Sequence, residues 1–308
     1  MRVVIALGGN ALIRRGEKAE ASTQMKNIDI ACKSISEIAK EHQVVLTHGN
    51  GPQVGLLALQ ADSYKDVTPY PLDVLGAETQ GMIGYMLDQS LENLMPNQKI
   101  AIILTQIEVD PNDNAFKNPT KPIGPVYDQA TAEKLAADRG WTIAPDGNYF
   151  RRVVPSPEPM EIVEKRSINL LVENDVLVVC NGGGGIPVMK QNDGKLKGIE
   201  AVIDKDRAAA LLAKEVKADA LVILTDAEAV ATDWGKPDSK NIKTASPEDM
   251  KQWKFPAGSM GPKVDACCAY AKANPKGIAC IGRLEDALDI LAGKKGTIIK
   301  SDAKLTYY

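Results

Sequence analysis

The stretch Arg2-Val-Val-Ile-Ala-Leu-Gly-Gly-Asn-Ala-Leu12 decides the fold of this 308-residue chain. Val3 to Leu7 form an apolar run without polar alternation, which predicts a strand buried on both faces, as in a parallel sheet. Gly8 and Gly9 follow where that strand would leave the sheet. Ligands bind at the carboxyl ends of strands in open α/β sheets, and a Gly-Gly-Asn turn lets backbone N–H groups approach an anion. The stretch therefore predicts an α/β fold with a candidate anion site after its first strand.

The same pattern of strand and glycine-rich turn occurs twice more. A second buried strand, Gln43–Thr47, leads into His48-Gly-Asn-Gly-Pro-Gln53, and a third, Val176–Cys180, leads into Asn181-Gly-Gly-Gly-Gly-Ile-Pro187. Three such turns at one edge of a sheet predict a phosphate-sized nest of backbone donors. Three tight strand-to-helix turns, with no ligand, are the alternative interpretation.

Strands and amphipathic helices alternate along most of the chain, which predicts a single-domain α/β sandwich with a mainly parallel sheet. A proline-rich region at about 112–158 interrupts this alternation and is too long for an ordinary connection, so we interpret it as an inserted subdomain or lid. The insertion falls within an N-terminal part, residues 1–175, and the alternation resumes with a helix near 162–173. The C-terminal part is residues 176–308. The predicted helices lie at 21–42, 72–94, 131–139, 162–173, 204–216 and 262–273, and further strands at 99–105, 220–225, 277–282 and 296–300.

Composition excludes several classes of protein. The net charge of −3 gives no overall basic excess for nucleic acid or an anionic membrane, and no segment is apolar enough over the length needed to span a bilayer. The five cysteines contain no C-x-x-C pair, which favours reduced structural thiols and a cytoplasmic location. With only two histidines, neither a histidine metal cluster nor a Ser-His-Asp set is expected.

Familiar nucleotide-binding signatures are absent from the sequence. There is no G-x-x-x-x-G-K-[ST] motif, and Pro187 occupies the last glycine position of the dinucleotide pattern. The glycine-rich loop, H-R-D and D-F-G set of protein kinases is missing as well. The glycine-rich turns therefore do not indicate a P-loop enzyme, a Rossmann oxidoreductase or a protein kinase.

Lysines stand where phosphoryl transfer would need positive charge. Lys205 and Asp206 begin one predicted helix, Lys263 lies at the start of another, and Lys121 lies within the insertion. Because a phosphoryl-transfer transition state spreads negative charge over oxygens, its catalysis is mostly positioning and electrostatics. Asp206 would hold Lys205 in place. The alternative is that these are solvated surface lysines, and Lys121 is equally a lid residue or an ordinary loop residue.

Eight stretches, taken together and in order, resemble the carbamate kinases, a branch of the amino-acid kinase superfamily. The stretches are Leu7-Gly-Gly-Asn-Ala-Leu12, His48-Gly-Asn-Gly-Pro-Gln53, Thr79-Gln-Gly-Met-Ile-Gly-Tyr85, Pro119-Thr-Lys-Pro-Ile-Gly-Pro125, Arg151-Arg-Val-Val-Pro-Ser-Pro157, Asn181-Gly-Gly-Gly-Gly-Ile-Pro187, Asp204-Lys-Asp206 and Gly258-Ser-Met-Gly-Pro-Lys263. The resemblance implies a three-layer αβα sandwich, usually a homodimer. It also implies a Mg²⁺-dependent, reversible and direct transfer of phosphoryl between carbamoyl phosphate and ADP, giving ATP and carbamate.

The resemblance also implies roles for individual residues. Carbamate would bind the N-terminal part and ADP or ATP the C-terminal part, while Lys121 would reach down from the insertion. Lys205 and Lys263 would neutralise the transferring phosphoryl, with Asp206 orienting them. The residues implied to hold the phosphoryl group and the substrate are Gly8, Gly9, Asn10, Gly49, Asn50, Gly51, Gly183 and Gly184. Those implied to bind the nucleotide are Thr225, Asp226, Val230, Met260, Gly261 and Lys263.

One segment departs from the family pattern. Positions 227–233 carry Ala227, Glu228, Ala231 and Asp233 in what the resemblance makes part of the nucleotide pocket. Two alternatives stay open beside an active carbamate kinase, the first because the fold is shared by several kinases and the second because of this departure. One is a kinase of the same fold for another small carboxylate, and the other is a carbamate-kinase-like protein that binds ligand without catalysis.

Overall fold

The computed structural model describes residues 1–14, 16–64, 66–256 and 258–308, and of Asn10 it describes the backbone only. In chain order the strands are β1 (Arg2–Leu7), β2 (Gln43–His48), β3 (Ile100–Ile102), β4 (Gln106–Val109), β5 (Lys121–Tyr127), β6 (Thr142–Asp146), β7 (Tyr149–Val154), β8 (Pro159–Ile162), β9 (Leu177–Val179), β10 (Ile186–Lys190), β11 (Leu196–Gly198), β12 (Ala220–Thr225), β13 (Ile242–Ala245), β14 (Ile278–Arg283), β15 (Thr297–Ile299) and β16 (Thr306–Tyr307). The helices are α1 (Ala21–Ala39), α2 (Gly51–Ser63), α3 (Leu72–Leu94), α4 (Gln129–Arg139), α5 (Lys165–Glu173), α6 (Lys205–Glu215), α7 (Met260–Ala273) and α8 (Ala287–Leu291).

A nine-stranded sheet in the order β16-β13-β15-β14-β12-β1-β2-β9-β3 forms the centre of the molecule. Strand β1 pairs in parallel with β2 on one side and with β12 on the other. The pairs β14·β15 and β13·β16 are antiparallel, so the sheet is mainly parallel, as predicted. Because β1, β2 and β9 are neighbours that run the same way, the turns that follow them meet at one edge.

Helices cover both faces of this sheet. Val4 and Ala6 of β1 pack in one hydrophobic cluster with α5, α6 and α7, while Val3, Ile5 and Leu7 pack in another with α1, α3 and α8. All five of these strand residues are completely buried. The continuous apolar run therefore forms a strand buried on both faces, as predicted, because successive side chains enter opposite cores. The result is the predicted three-layer αβα sandwich.

The proline-rich region forms a small unit of its own. Strands β5, β7 and β6 make a separate three-stranded antiparallel sheet with α4 beside it. A Cβ on Gly55 of α2 would lie 2.6 Å from Gly124 Cα, so the backbones of α2 and β5 are in direct contact. The division at residues 175 and 176 and the lid boundaries at about 112–158 stay predictions.

Several predicted elements differ from the observed ones. The strand predicted at 99–105 ends at Ile102, and the helix predicted from Ile162 begins at Lys165, because Ile162 belongs to β8 and pairs with Ile107. Pro262 is the third residue of α7 rather than the first, which costs no hydrogen bond because first-turn N–H groups need no helical acceptor. Helix α2, the β10·β11 hairpin, β13 and β16 were not predicted.

The cysteines are unpaired, in agreement with the prediction of reduced structural thiols. Cys32 of α1, Cys267 of α7, Cys280 of β14 and Cys180 just after β9 are buried in the two hydrophobic cores, and Cys268 is half-buried. Among the described helices, none combines the length and the apolarity needed to cross a membrane.

Candidate active site

The first two glycine turns lie side by side at the carboxyl edge of the sheet. The Gly8 N–H donates to the Leu224 carbonyl at 3.0 Å, and the Gly49 N–H donates to the Leu7 carbonyl at 3.1 Å. A Cβ on Gly49 would stand 3.4 Å from the Gly9 nitrogen. The turns after β1 and β2 therefore touch through their backbones, as their position on neighbouring parallel strands predicts.

The third turn, after β9, packs against both the second turn and the start of α6. Gly183 and Gly184 have φ values of 68° and 96°, which favour glycine. A Cβ on Gly183 would lie 2.1 Å from the Asn50 amide nitrogen, and one on Gly184 would lie 2.4 Å from the Ile203 carbonyl oxygen. Glycine is required at both positions by backbone conformation and by the closeness of the neighbours.

A groove of about 550 Å³ opens over these turns. Its walls come from the turns, from the insertion and from the amino ends of α6 and α7. Of the predicted site residues, those that line it are Gly9, Gly49, Asn50, Gly51, Lys121, Gly183, Lys205, Asp206 and Lys263. Gly8 and Gly184 lie directly beside it as backbone, and the side chain of Asn10 lies outside the described structure.

Asp206 lies between two ammonium groups inside the groove. Its Oδ1 pairs with Lys205 Nζ, and its Oδ2 pairs with Lys263 Nζ at 3.0 Å. The three side chains are only 4%, 13% and 14% exposed for Asp206, Lys205 and Lys263. Burial pushes the pKa of Asp206 upward, but the two ammonium groups outweigh it and hold that pKa below its ordinary value. The carboxylate is thus ionised and fixes both lysines.

Burial lowers the pKa of Lys205, and the attraction of Asp206 opposes this shift only in part. The Lys205 stem crosses the second turn, with its Cδ 3.3 Å from where a Gly49 Cβ would be. One carboxylate neutralises only one of the two ammonium groups, so the cluster of Lys205, Asp206 and Lys263 carries a net positive charge. Such a charge beside backbone N–H groups is suited to bind and stabilise an anion.

Lys121 enters the groove from the insertion and pairs with Asp204 through Nζ and Oδ2 at 2.7 Å. The other Asp204 oxygen caps α6, accepting from the Asp206 N–H at 2.9 Å and from the Arg207 N–H at 3.3 Å. Asp204 was missing from the predicted site residues. Its position immediately before a helix is a capping signal that could have been used, but its pairing with Lys121 has no signal in the sequence.

The Asp204 pair predicts a stability change with pH. Burial raises the pKa of Asp204, but Lys121 and Lys205 hold it at about 2, below the ordinary 3.8. Because its pKa is lower in the folded protein than in the unfolded chain, Asp204 stabilises the folded state fully at a pH above its ordinary pKa. This contribution disappears as the pH falls through the pKa of the folded protein. We expect Asp204→Asn, which keeps the cap, to lower the free energy of unfolding by about 2 kcal/mol above pH 4, with the difference shrinking toward pH 2.

Urea unfolding of both proteins between pH 2.5 and pH 7 measures this difference. Asp193→Asn is the matched control, since Asp193 pairs with Lys195 on an exposed turn and should contribute little. A constant difference across the pH range would contradict the proposed ionic origin.

His48 is completely enclosed behind the second turn. Its Nδ1 lies 3.0 Å from the Gly49 carbonyl oxygen, and a Cβ on Gly182 would lie 2.5 Å from its Nε2. Burial, reinforced by the charge of Lys205, lowers the pKa of His48 to about 4. The ring is therefore neutral at pH 7 and fills the space between the second and third turns, which is a structural role.

The residues predicted to bind nucleotide are only partly brought together. Lys263 lines the groove, and Met260 and Gly261 form the first turn of α7 beside it. Thr225 and Asp226 line a separate cleft of about 490 Å³ together with Arg14 and Arg283. Val230 is completely buried in the core, where its N–H donates to Thr297 Oγ1 at 2.8 Å. A nucleotide-binding role for these residues stays a prediction.

Comparisons with known proteins relate the whole chain to one group. Residues 1–281 match the model of the amino acid kinase family. A curated carbamate kinase of Haemophilus influenzae is 54% identical over 310 residues, with 100% of both chains covered. A curated carbamate kinase of Thermococcus kodakarensis is 47% identical, with 96% of this chain and 98% of the relative covered.

Solved structures agree with these relatives. The carbamate kinase from Giardia lamblia bound to AMP-PNP superposes with a TM-score of 0.89 at 44% identity, covering 97% of this chain and 98% of that one. A UMP kinase from Bacillus anthracis superposes with a TM-score of 0.57 at 16% identity, which shows a shared fold alone. The likeness in sequence and in structure thus extends over nearly the full length of both chains.

Proposed function

Because the chain belongs to the amino acid kinase family and, within it, to the carbamate kinases, we propose that it transfers phosphoryl reversibly between carbamoyl phosphate and ADP. The observation that carries the proposal is Asp206 held between Lys205 and Lys263 at the edge where three glycine turns meet. In the direction of ATP formation, the bond between phosphorus and the carbamate oxygen breaks. A bond between phosphorus and a β-phosphate oxygen of ADP forms, and carbamate leaves as an anion.

The proposed chemistry needs no general base, since both the attacking and the leaving oxygens are already anionic. The work of the site is to hold the phosphoryl group in line and to stabilise its charge. Lys205 and Lys263 supply that charge from opposite sides of Asp206. The Gly8 and Gly49 N–H groups already donate to the Leu224 and Leu7 carbonyls. In our proposal the later N–H groups of the same two turns, those of Gly9 and Gly51, hold the oxygens of the substrate. When substrate binds, the Lys121 ammonium group leaves Asp204 and pairs with the substrate instead.

The groove offers no dedicated metal site within the described residues, among which no group of three or more His, Cys, Asp or Glu is placed to hold an ion. Its carboxylates, Asp204 and Asp206, are already paired with lysines. Mg²⁺ in kinases is bound largely by substrate phosphates, where it neutralises developing charge. In our proposal Mg²⁺ therefore enters with the nucleotide. The lysines and backbone N–H groups of this chain bind the phosphoryl group and stabilise the remainder of its negative charge.

A homodimer through α3 is part of the proposal. Val74, Tyr85 and Leu94 of α3 are 38%, 60% and 40% exposed, and Leu104, just after edge strand β3, is 51% exposed. Exposed apolar side chains beside an unpaired sheet edge favour association. A single-chain mass in sedimentation equilibrium would contradict the proposed homodimer.

A cytoplasmic location is also part of the proposal, and the unpaired thiols support it.

Coupled ATP formation from carbamoyl phosphate, ADP and Mg²⁺ tests the proposed function. We expect turnover with carbamoyl phosphate and none with acetyl phosphate, acetylglutamyl phosphate or UDP in its place. Turnover with one of the other phosphoryl donors instead would indicate a kinase for another small substrate. Binding of ligand in calorimetry without turnover would indicate that the chain has lost the chemistry.

A further inference from the structure

The glycine turn after β9 holds an unusual backbone with little support of its own. Asn181, Gly183, Gly184 and Gly185 all have φ between 53° and 96°. Within the turn, Gly184 N–H donates to the Asn181 carbonyl and Gly185 N–H to the Gly182 carbonyl, at 3.0 and 3.1 Å. A segment with so few internal hydrogen bonds depends on its neighbours for a fixed position.

Helix α3 supplies part of that support through the side chain of Gln80, which is 3% exposed. Its amide nitrogen donates to the Gly182 carbonyl at 3.0 Å and to the Thr105 carbonyl at 3.2 Å. Its amide oxygen accepts from the Thr105 N–H at 2.8 Å. Thr105 Oγ1 in turn accepts from the Asn181 N–H at 3.0 Å. Gln80 thus ties the third turn to α3 directly and through Thr105.

The preceding residue, Thr79, supports the second turn. Its hydroxyl accepts from the Asn50 amide nitrogen at 2.8 Å and donates to the Gly76 carbonyl at 2.7 Å. The Asn50 amide is the group that packs on Gly183, within 2.6 Å of where a Cβ would be. The Thr79 hydroxyl therefore fixes the orientation of the side chain that separates the second and third turns.

We propose that Thr79 and Gln80 are positioning residues for phosphoryl transfer. Neither side chain lines the groove, and both are buried, so they act through the turns that they hold. The Thr79-Gln-Gly-Met-Ile-Gly-Tyr85 stretch, which carried part of the resemblance without a role, receives one in this way. The inference rests on the proposed function, because the turns matter for transfer only if the groove binds the reacting phosphoryl group.

Thr79→Val and Thr79→Ser test the hydroxyl with a matched pair. Valine keeps the shape but leaves the Asn50 amide without its acceptor, whereas serine keeps the hydroxyl. We expect Thr79→Val to lower kcat/KM for carbamoyl phosphate by about tenfold or more, and Thr79→Ser to stay within about twofold of the parent protein. The Kd for ADP, measured by calorimetry, should not change, because the residues predicted to bind nucleotide, at 225–230 and 260–263, do not include the turns that Thr79 supports.

Gln80→Glu tests the amide with a pH profile. The ionised carboxyl accepts from the Thr105 N–H but cannot donate to the Gly182 carbonyl, whereas the protonated carboxyl donates one hydrogen bond. We expect the kcat/KM of this variant, relative to the parent protein at each pH, to be lowest at pH 8 and to rise as the pH falls toward 6. A purely structural effect would give a ratio that does not change with pH.

The outcomes separate this inference from the proposed function. If the parent protein makes no ATP, the proposed function is wrong, and the inference about transfer is wrong with it. If the parent is active but Thr79→Val matches it, or Thr79→Ser loses as much as Thr79→Val, the positioning role is wrong and the proposed function stands. Thermal unfolding of each variant shows that the folded protein is being assayed.

Discussion

Replacement of Lys205 by methionine is expected to lower kcat by a factor on the order of 10³, with ADP affinity nearly unchanged. Methionine keeps an unbranched apolar stem against Gly49, so the substitution removes mainly the ammonium group. That group pairs with Asp206 and, in the proposed function, stabilises the charge that develops on the transferring phosphoryl. An interaction that strengthens in the transition state affects kcat more than substrate binding.

The kinetic consequence has to be separated from a loss of stability. Lys205→Met leaves the nearly buried Asp206 paired with Lys263 alone, which should lower the unfolding temperature as well. Initial rates are therefore measured well below that temperature. Lys214→Met is the matched control, because Lys214 is exposed near the other end of the same helix. A rise in KM with an unchanged kcat would mean that Lys205 serves ground-state binding only.

Gly184→Ala is expected to cause the second large loss, in stability and in activity together. An alanine Cβ would stand 2.4 Å from the Ile203 carbonyl and 3.3 Å from the Lys205 nitrogen, and the φ of 96° disfavours any side chain. The strain and the overpacking together should cost about 3 kcal/mol of unfolding free energy. Because relief requires the start of α6 to move, Lys205 moves as well, and kcat/KM should fall at least about 100-fold.

Gly194→Ala is a control that separates backbone strain from overpacking. Gly194 also has a positive φ, 83°, but a Cβ there would meet nothing within 4 Å. We expect about 1 kcal/mol of destabilisation and unchanged kinetics from this control, measured by urea unfolding and by the coupled assay. An equal kinetic loss in both variants, or normal kinetics for Gly184→Ala, would contradict the packing argument.

The central sheet could be predicted because its strands carry their own signal. Val3 to Leu7 contain no polar residue, and the structure puts alternate members into the two cores that the pattern requires. The glycine turns were predictable for the same reason, since each directly follows such a strand. Lys205 and Lys263 were recognisable as residues at helix starts, and the structure places both in the groove.

Other features depend on contacts that no local pattern contains. Helix α2 begins with Gly51 and Pro52 and contains Gly55, a composition of low helix propensity. Gly55 is nevertheless suitable there because it allows the backbone of Gly124 to approach. Asp204 and Lys121 are 83 positions apart, so neither predicts the other. Thr79 is likewise 29 positions from Asn50, and Gln80 is 102 positions from Gly182, so their proposed roles could not be predicted from the sequence either.

The unpaired cysteines provide a means of following how the molecule opens. Burial raises the pKa of Cys32 and Cys280 to about 12 and that of Cys268 to about 11. Alkylating reagents attack the thiolate, which is scarce at these positions at neutral pH, and four of the side chains are out of reach. Alkylation of a buried cysteine therefore requires the helices over its hydrophobic core to separate from the sheet. Mass spectrometry of the labelled peptides over time would give an opening rate for each of the two cores, with Cys268 labelled first.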